Sequence, residues 1–317
     1  MNSNNNSWQS IRRAYVDSPN EHFALVSLVE TEGSSYLRPG ARLLVREDGA
    51  YWGEISAGCL EEKVSAAAVE SIRAGEHRII RIDTRPLYGC FGVISLLIEV
   101  LFDRANFLEL LQKIDQVSLT RIPLQLRTSY KHLANPRLTE IVSHHCEAEG
   151  AFIQPITPPN QLLVFGDWKD GRAAAEVGQK IGWKTALYDA SAPEFPIEPT
   201  LEKHKIDSKT AILITTHNLA RDARCLRYAL SQDYGYIGVV GSRKRRLELQ
   251  SIISEFDDFS LIERFESVHC PAGLDIGGEG SQAIALSIIA EVQAALSQRS
   301  GQPLSHREKP IHLEEFL

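Results

Sequence analysis

Leu162-Leu163-Val164-Phe165-Gly166-Asp167-Trp168-Lys169-Asp170-Gly171 is the stretch that decides the fold. Four consecutive apolar residues stopped by a glycine read as a strand covered on both faces, since a strand with one wet face would alternate. A helix-like run follows over 172–181. The same unit then recurs. A strand over 185–188 ends at Asp189, and a third over 211–215 leads into a helix that closes at Leu230. A fourth over 236–240 leads into helices over 243–255 and 281–296. Bare apolar strands alternating with helices predict a parallel sheet wound by crossovers. Residues 158–317 therefore read as a Rossmann-like α/β domain.

Upstream the pattern changes. Strands are expected over 23–30, 41–46, 51–55, 78–83 and 93–101, with Asp48-Gly49 as the hairpin turn between the second and third. Leu60, Val64, Ala67, Ala68 and Ile72 fall at helical spacing, and Gly75 is placed to stop that helix. Residues 107–153 carry short alternating pieces and read as an extra β-rich section. Pro155, Pro158 and Pro159 mark a linker. The first domain is thus an α+β unit over 21–157. Residues 1–20, rich in Asn and Ser, read as a disordered tail without the apolar core of a signal peptide.

Composition narrows the function. With 34 Lys+Arg against 41 Asp+Glu the net charge is −7, which argues against a dedicated nucleic-acid binder. No apolar run approaches the roughly 20 residues of a membrane-spanning helix, so a cytoplasmic protein is expected. Five cysteines, at 59, 90, 146, 225 and 270, form no CxxC pair, so neither a disulfide framework nor a standard zinc site is indicated. His144-His145-Cys146 does not change this, because neighbours on a strand point to opposite faces.

Several stretches carry chemistry. A dinucleotide fold would place G-x-G-x-x-G after the first parallel strand, and Asp189 stands where a ribose-binding acid belongs. Trp168 occupies the middle glycine position and argues against NAD(P). Gly241-Ser242-Arg243-Lys244-Arg245-Arg246 follows a strand and opens a helix, a setting suited to an anionic group such as a phosphate. Cys59 sits where a strand meets a helix, where the dipole favours thiolate, although Glu61 and Glu62 would oppose this if they faced the sulfur. Cys90 lies in a second glycine-flanked turn. Ser34, Ser35 and Arg38 offer hydroxyls and a cation in one loop. Asp275 is bracketed by Gly273 and Gly277, and His217 and Asn218 follow the third parallel strand.

In number and order these motifs resemble the XdhC/CoxI family of accessory factors for xanthine dehydrogenase and related molybdenum hydroxylases. The carrying stretches are Glu30–Ser35 with Arg38–Ala41, Gly58–Glu61, Gly89–Gly92, Gly241–Arg245 and Pro271–Gly277. The resemblance implies a chaperone, not an enzyme. It would bind molybdenum cofactor (molybdopterin), support its sulfuration with a cysteine desulfurase, and deliver it to a xanthine dehydrogenase-type apo-hydroxylase. Cys59 and Cys90 would carry the family cysteines, with Cys59 relaying sulfur or ligating molybdenum. Ser34, Ser35, Arg38, Gly58, Gly241, Ser242, Arg243, Arg246, Asp275 and Gly277 would hold the cofactor. No standard protein-ligated metal is expected, and a homodimer is. Ala57, Phe91 and Trp168 depart from the pattern. An NAD(P)-dependent oxidoreductase and a cysteine-based sulfurtransferase stand as alternatives.

Overall fold

The structure is a computed structural model that describes residues 3–33, 36–56, 58–85, 92–142, 150–190, 192, 195–256 and 258–306. The chain divides into two compact units, Met1–Pro158 and Pro159–Leu317.

In chain order the first unit holds α1 (Ser3–Asp17), β1 (Phe23–Gly33), β2 (Arg42–Arg46), β3 (Tyr51–Glu54), α2 (Glu61–Ala74), β4 (Arg78–Asp83), β5 (Gly92–Val100), α3 (Arg104–Thr120), β6 (Leu124–Ser129), β7 (Thr139–Val142) and β8 (Ala151–Ile156). The second holds β9 (Gln161–Phe165), α4 (Lys169–Lys180), β10 (Lys184–Tyr188), α5 (Ile197–Glu202), β11 (Thr210–Ile214), α6 (Leu219–Leu230), β12 (Tyr236–Val239), α7 (Arg243–Ser254), α8 (Phe259–Phe265) and α9 (Ser281–Leu296).

The second unit is built on a four-stranded parallel sheet with the order β10-β9-β11-β12. Its side chains alternate between two apolar layers. Leu163, Phe165, Ile212 and Ile214 pack on α5 to α8, whereas Leu162, Val164, Ala211 and Leu213 pack on α4 and α9. Helices on both faces explain the unbroken apolar run in β9. The order of winding reverses at β9, with β10 added on one side and β11 on the other. The crevice at the carboxyl ends of β9 and β11 is therefore the topological switch point where ligands of such folds bind. A short parallel pairing of Gly238 with His269 brings the 268–273 chain to the same edge, beside β12.

The first unit is an antiparallel sheet, order β3-β2-β1-β5-β4, with α2 packed on one face and α1 and α3 on the other. Beside it stands a three-stranded sheet, β7-β6-β8. Three expectations are corrected here. Residues 3–17 are helix, not disordered tail: Trp8, Ile11 and Tyr15 share one face, and all three are buried. Residues 104–120, inside the section expected to be β-rich, are also helix, burying Phe107, Leu110, Leu111, Ile114 and Val117. Pro155 lies within β8 and not in a linker. Among the described residues that strand pairs only with β6, so a residue without an N–H is tolerated at its open edge.

Candidate functional site

The carboxyl edge of the parallel sheet gathers the loops after β9, β11 and β12 and the 268–278 segment. The loop after β9 is closely packed against β11. Gly166 has φ +123°, and a Cβ there would lie 2.4 Å from the Thr215 carbonyl oxygen. A Cβ on Gly171 would lie 2.2 Å from the Gly166 carbonyl oxygen. Both glycines serve close packing between β9, α4 and β11, and Thr215 Oγ1 donates across it to the Gly166 carbonyl at 2.8 Å. Helix α4 begins at Lys169, earlier than its sequence pattern suggests. Asp167 accepts from Arg172 Nε at 2.5 Å and Nη2 at 2.9 Å, and this hydrogen bonding holds its carboxyl below the usual range. Trp168 stands half-exposed over this loop, its ring edge-to-face with His217 at 6.3 Å.

His217 takes the left-handed conformation, φ 53°, at the first turn after β11. Asn218 caps α6 by accepting from Arg221 N at 3.1 Å. Below these, Asp222 is 1% exposed and accepts from Thr216 Oγ1 and from Arg245 Nε, the latter at 2.7 Å. Arg245 Nη2 lies 2.5 Å from the same carboxylate oxygen but off the hydrogen-bonding direction, so the pair is held through Nε. This brace joins the β11 loop to the start of α7. It was not legible in the sequence, because nothing in a separation of 23 residues links an acid to an arginine.

The basic turn divides into two halves. Ser242 caps α7, its hydroxyl accepting from Arg245 N at 3.3 Å. Arg245 is consumed by Asp222. Arg246, expected at the ligand, instead donates to the Val268 carbonyl, lies over the Phe265 ring and approaches Glu266 at 3.6 Å. Ser242, Arg243 and Lys244 are exposed beside a half-buried Gly241, and the Lys244 ammonium is 3.8 Å from Glu248. Arg243 is the arginine of this turn left exposed and without an ion pair among the described residues.

The 268–278 segment is anchored by a group that no sequence motif marks. Glu291 of α9 accepts from Tyr236 OH at 2.6 Å, His269 Nδ1 at 3.0 Å and Gly273 N at 2.7 Å. Burial opposes the charge of Glu291, but these donors outweigh it and hold the carboxyl low. Asp275 and Gly277 stand exposed beyond the anchor, with Gly277 at φ 70°. Cys270 is buried, which raises its thiol pKa, and Cys225 is pushed up to about 12 by burial. Neither is an accessible nucleophile.

In the first unit, Gly58 and Cys59 are exposed at the start of α2. The backbone N–H groups of Gly58, Cys59 and Leu60 all converge on Ser56 Oγ, at 3.2, 3.1 and 3.2 Å. Ser56 in turn donates to Glu61 Oε2 at 2.5 Å. Glu61, only 3% exposed, also accepts from Ile55 N at 3.2 Å and Ser56 N at 2.8 Å. Its carboxylate is therefore the loop's hydrogen-bond hub, engaged by backbone N–H groups and by the Ser56 hydroxyl. The Cys59 sulfur lies 3.7 Å from Ser56 Oγ. Gly58 has φ 96°, and open space surrounds the position of a Cβ. Arg38 is exposed in its loop. Ser34, Ser35, Ala57, Cys90 and Phe91 lie outside the described residues, as do His144, His145 and Cys146. Among the described residues no helix is long and apolar enough to cross a membrane.

These features define a two-unit α/β protein whose second unit is Rossmann-like and carries, in place of a dinucleotide fingerprint, a packed glycine turn and a basic, serine-capped helix start. The chain belongs to the XdhC and CoxI family: the model of that family matches residues 18–83, and the model of the XdhC Rossmann domain matches residues 162–292. It is 27% identical over 279 residues to the molybdenum cofactor insertion chaperone PaoD of Escherichia coli, covering 84% of this chain and 81% of that protein. It is 25% identical over 315 residues to a protein of Bacillus subtilis named as a probable subunit of xanthine dehydrogenase, covering 86% and 92%. The fold matches a crystal structure described as a xanthine dehydrogenase from Bacillus halodurans with a TM-score of 0.73, at 21% identity, over 96% of this chain and 99% of that one.

Proposed function

We propose that this protein is a molybdenum cofactor chaperone. It receives molybdopterin, supports sulfuration of the bound metal together with a cysteine desulfurase, and passes the product to a xanthine dehydrogenase-type apo-hydroxylase. It acts as a homodimer in the cytoplasm. The observation that carries this reading is the exposed Ser242–Arg243 start of α7 at the carboxyl edge of β12. A serine-capped helix N-terminus beside an unpaired guanidinium is suited to a pterin-borne phosphate. Family membership and the name of the E. coli relative support the choice of cargo. Exposed Asp275 and Gly277 belong to the same edge and contribute polar contacts. Arg246 is a positioning residue in this reading, since its guanidinium is already engaged. Trp168 presents a flat, half-exposed ring where a nicotinamide dinucleotide would need a glycine, which favours the chaperone over an NAD(P)-dependent oxidoreductase.

Arg243→Ala is expected to weaken molybdopterin retention about tenfold, the loss of one charge-assisted hydrogen bond to phosphate. The measurement is pterin fluorescence after oxidative release from protein purified from cells able to make the cofactor. Retention equal to wild type would remove the phosphate site. Cys59, exposed and with its sulfur 3.7 Å from Ser56 Oγ, is the candidate sulfur carrier or molybdenum ligand. After incubation with a desulfurase and cysteine, the intact mass is expected to gain one sulfur atom, and Cys59→Ser is expected to abolish that gain. A persulfide that persists in Cys59→Ser would assign the role to another thiol.

A further inference from the structure

Trp168 is a large side chain of the second unit that the fold leaves unexplained. It stands at the N-cap of α4, a position that favours Ser, Thr, Asp or Asn, and its side chain makes no capping hydrogen bond. The indole belongs to neither apolar layer of the sheet and is 52% exposed. Neither capping nor packing therefore accounts for an aromatic ring here. Its place is the loop after β9, at the switch point between β9 and β11 where ligands of doubly wound folds bind. From the loop after β11 it is met by His217, whose imidazole lies edge-to-face with the indole and whose side chain is 48% exposed. His217 reaches this position from left-handed backbone, which is uncommon outside glycine. Its Nε2 stands 3.9 Å from Asp170 Oδ2, and that carboxylate, 21% exposed, accepts no hydrogen bond among the described residues. The neighbouring charges are engaged elsewhere. Asp167 is held by Arg172, the attraction of Asp189 falls on that same guanidinium, and Lys169 is exposed to solvent.

We propose that Trp168 is a stacking platform for the pterin ring of the cargo, with His217 at the edge of that ring and the Asp170 carboxylate accepting from its amino and ring N–H donors. Naming the ring as a pterin rests on the cofactor reading; the platform itself does not. The ligand is gripped by the face of the indole and not by the N–H groups that open α4. An aromatic face stacks flat heterocycles of many kinds, so the platform supplies affinity with little selectivity. The carboxylate supplies the selectivity. The amino group and adjacent ring N–H of a pterin are two neighbouring donors, whereas the amino edge of adenine sets a donor beside an acceptor. Strands β9 and β12 are separated by β11, so the loops that carry Trp168 and Arg243 leave strands two spacings, roughly 10 Å, apart. One molecule can then set its ring on the first loop and its phosphate on the second.

The probe is pterin itself, the free ring without a phosphate, with adenosine as the comparison, and binding to the full chain is read by equilibrium dialysis. Saturable pterin binding at millimolar concentration or below is expected, with adenosine severalfold weaker. Trp168→Ala, a change at a half-exposed ring outside the core, is expected to raise the pterin Kd about tenfold. Trp168→Phe restores an aromatic face and is expected to recover most of that loss. Asp170→Asn is expected to bring the pterin and adenosine affinities together, and serves if Trp168→Ala does not fold. Absence of saturable pterin binding to the wild-type chain would overturn the proposal. So would adenosine binding as tight as pterin, or a pterin Kd unchanged in Trp168→Ala. Each of these results leaves the cofactor reading standing where protein from cofactor-producing cells still retains molybdopterin. Trp168-dependent pterin binding by a chain that retains none would keep the ring site and remove the chaperone.

Discussion

Replacing Asp222 by Ala is expected to cost the second unit about 3 kcal/mol of unfolding free energy, read as a lowered urea midpoint for that unit. The side chain is almost wholly buried and neutralises Arg245, whose own side chain is 20% exposed. Removing the acid strands a guanidinium that water reaches on one side only. Breaking such a pair from one end typically costs ~3–5 kcal/mol, and the partial exposure of Arg245 places this case at the lower end. Thr216 also loses its acceptor, and α6 loses the acid in its first turn, where a carboxylate favours the helix dipole. The control is the double replacement Asp222→Leu with Arg245→Met, which substitutes apolar contact for the pair and is expected to restore most of the loss. A single variant within about 1 kcal/mol of wild type would show that water already solvates the pair. Because the same brace fixes the start of α7, Asp222→Ala is also expected to lower cofactor retention in protein that is still folded.

What the sequence disclosed, and what it hid, follows the range of the interactions. The second unit was readable because its strands are local signals: Leu162–Phe165 is apolar throughout, and Ala211–Ile214 and Tyr236–Val239 repeat the pattern, with Thr185–Tyr188 a weaker version of it. Its helix over 281–296 matches α9 residue for residue. The 104–120 helix also carries a local signal, since Phe107, Leu110, Leu111, Ile114 and Val117 repeat at three and four residues. The alternating pieces that follow it, such as Leu124–Leu126, pull a reading of the whole section towards strand. In 3–17 the apolar face is sparse, and Asn and Ser dominate the composition around Trp8, Ile11 and Tyr15. Tertiary burial against β1 and α3, not helix propensity, settles that segment. The site was legible as an address but not as wiring. The sequence located the turn after β12 and its four cations, but not that Asp222 and the Val268 carbonyl take two of them. Nor could spacing show that Glu61 accepts from the Ser56 hydroxyl and the Ile55 N–H, or that Glu99 meets Thr139 from 40 residues away.

The second large effect is expected at Glu61, where one carboxylate organises the whole approach to Cys59. Glu61→Ala is expected to remove about 3 kcal/mol from the first unit, since hydrogen bonds to a charged group contribute ~1.5–3 kcal/mol each and several share this acceptor. Glu61→Gln keeps one acceptor oxygen and is expected to lose about half as much. The charge itself is tested by pH. Burial works against the ionised form, but the Ser56 hydroxyl and the Ser56 and Ile55 N–H groups outweigh it, leaving the folded pKa below the ordinary value. Between the lowered folded value and the unfolded value of about 4.3, the unfolded chain binds more protons, so stability rises with pH there. The contribution of Glu61 is complete above that window and is lost as pH falls through the folded pKa. Wild-type protein is therefore expected to lose first-unit stability on acidification below about pH 4.3 more steeply than Glu61→Gln. Equal slopes would mean that another carboxylate dominates acid unfolding and that Glu61 acts by geometry alone. The functional consequence runs through Ser56. Freed from Glu61, its hydroxyl no longer holds the Gly58, Cys59 and Leu60 N–H groups in one cluster, and iodoacetamide alkylation of Cys59 at neutral pH is expected to change in the alanine variant while remaining near wild type in the glutamine variant. The carboxylate two residues beyond Cys59 thus shapes the backbone beneath the thiol, which is the geometry on which the proposed sulfur role would draw.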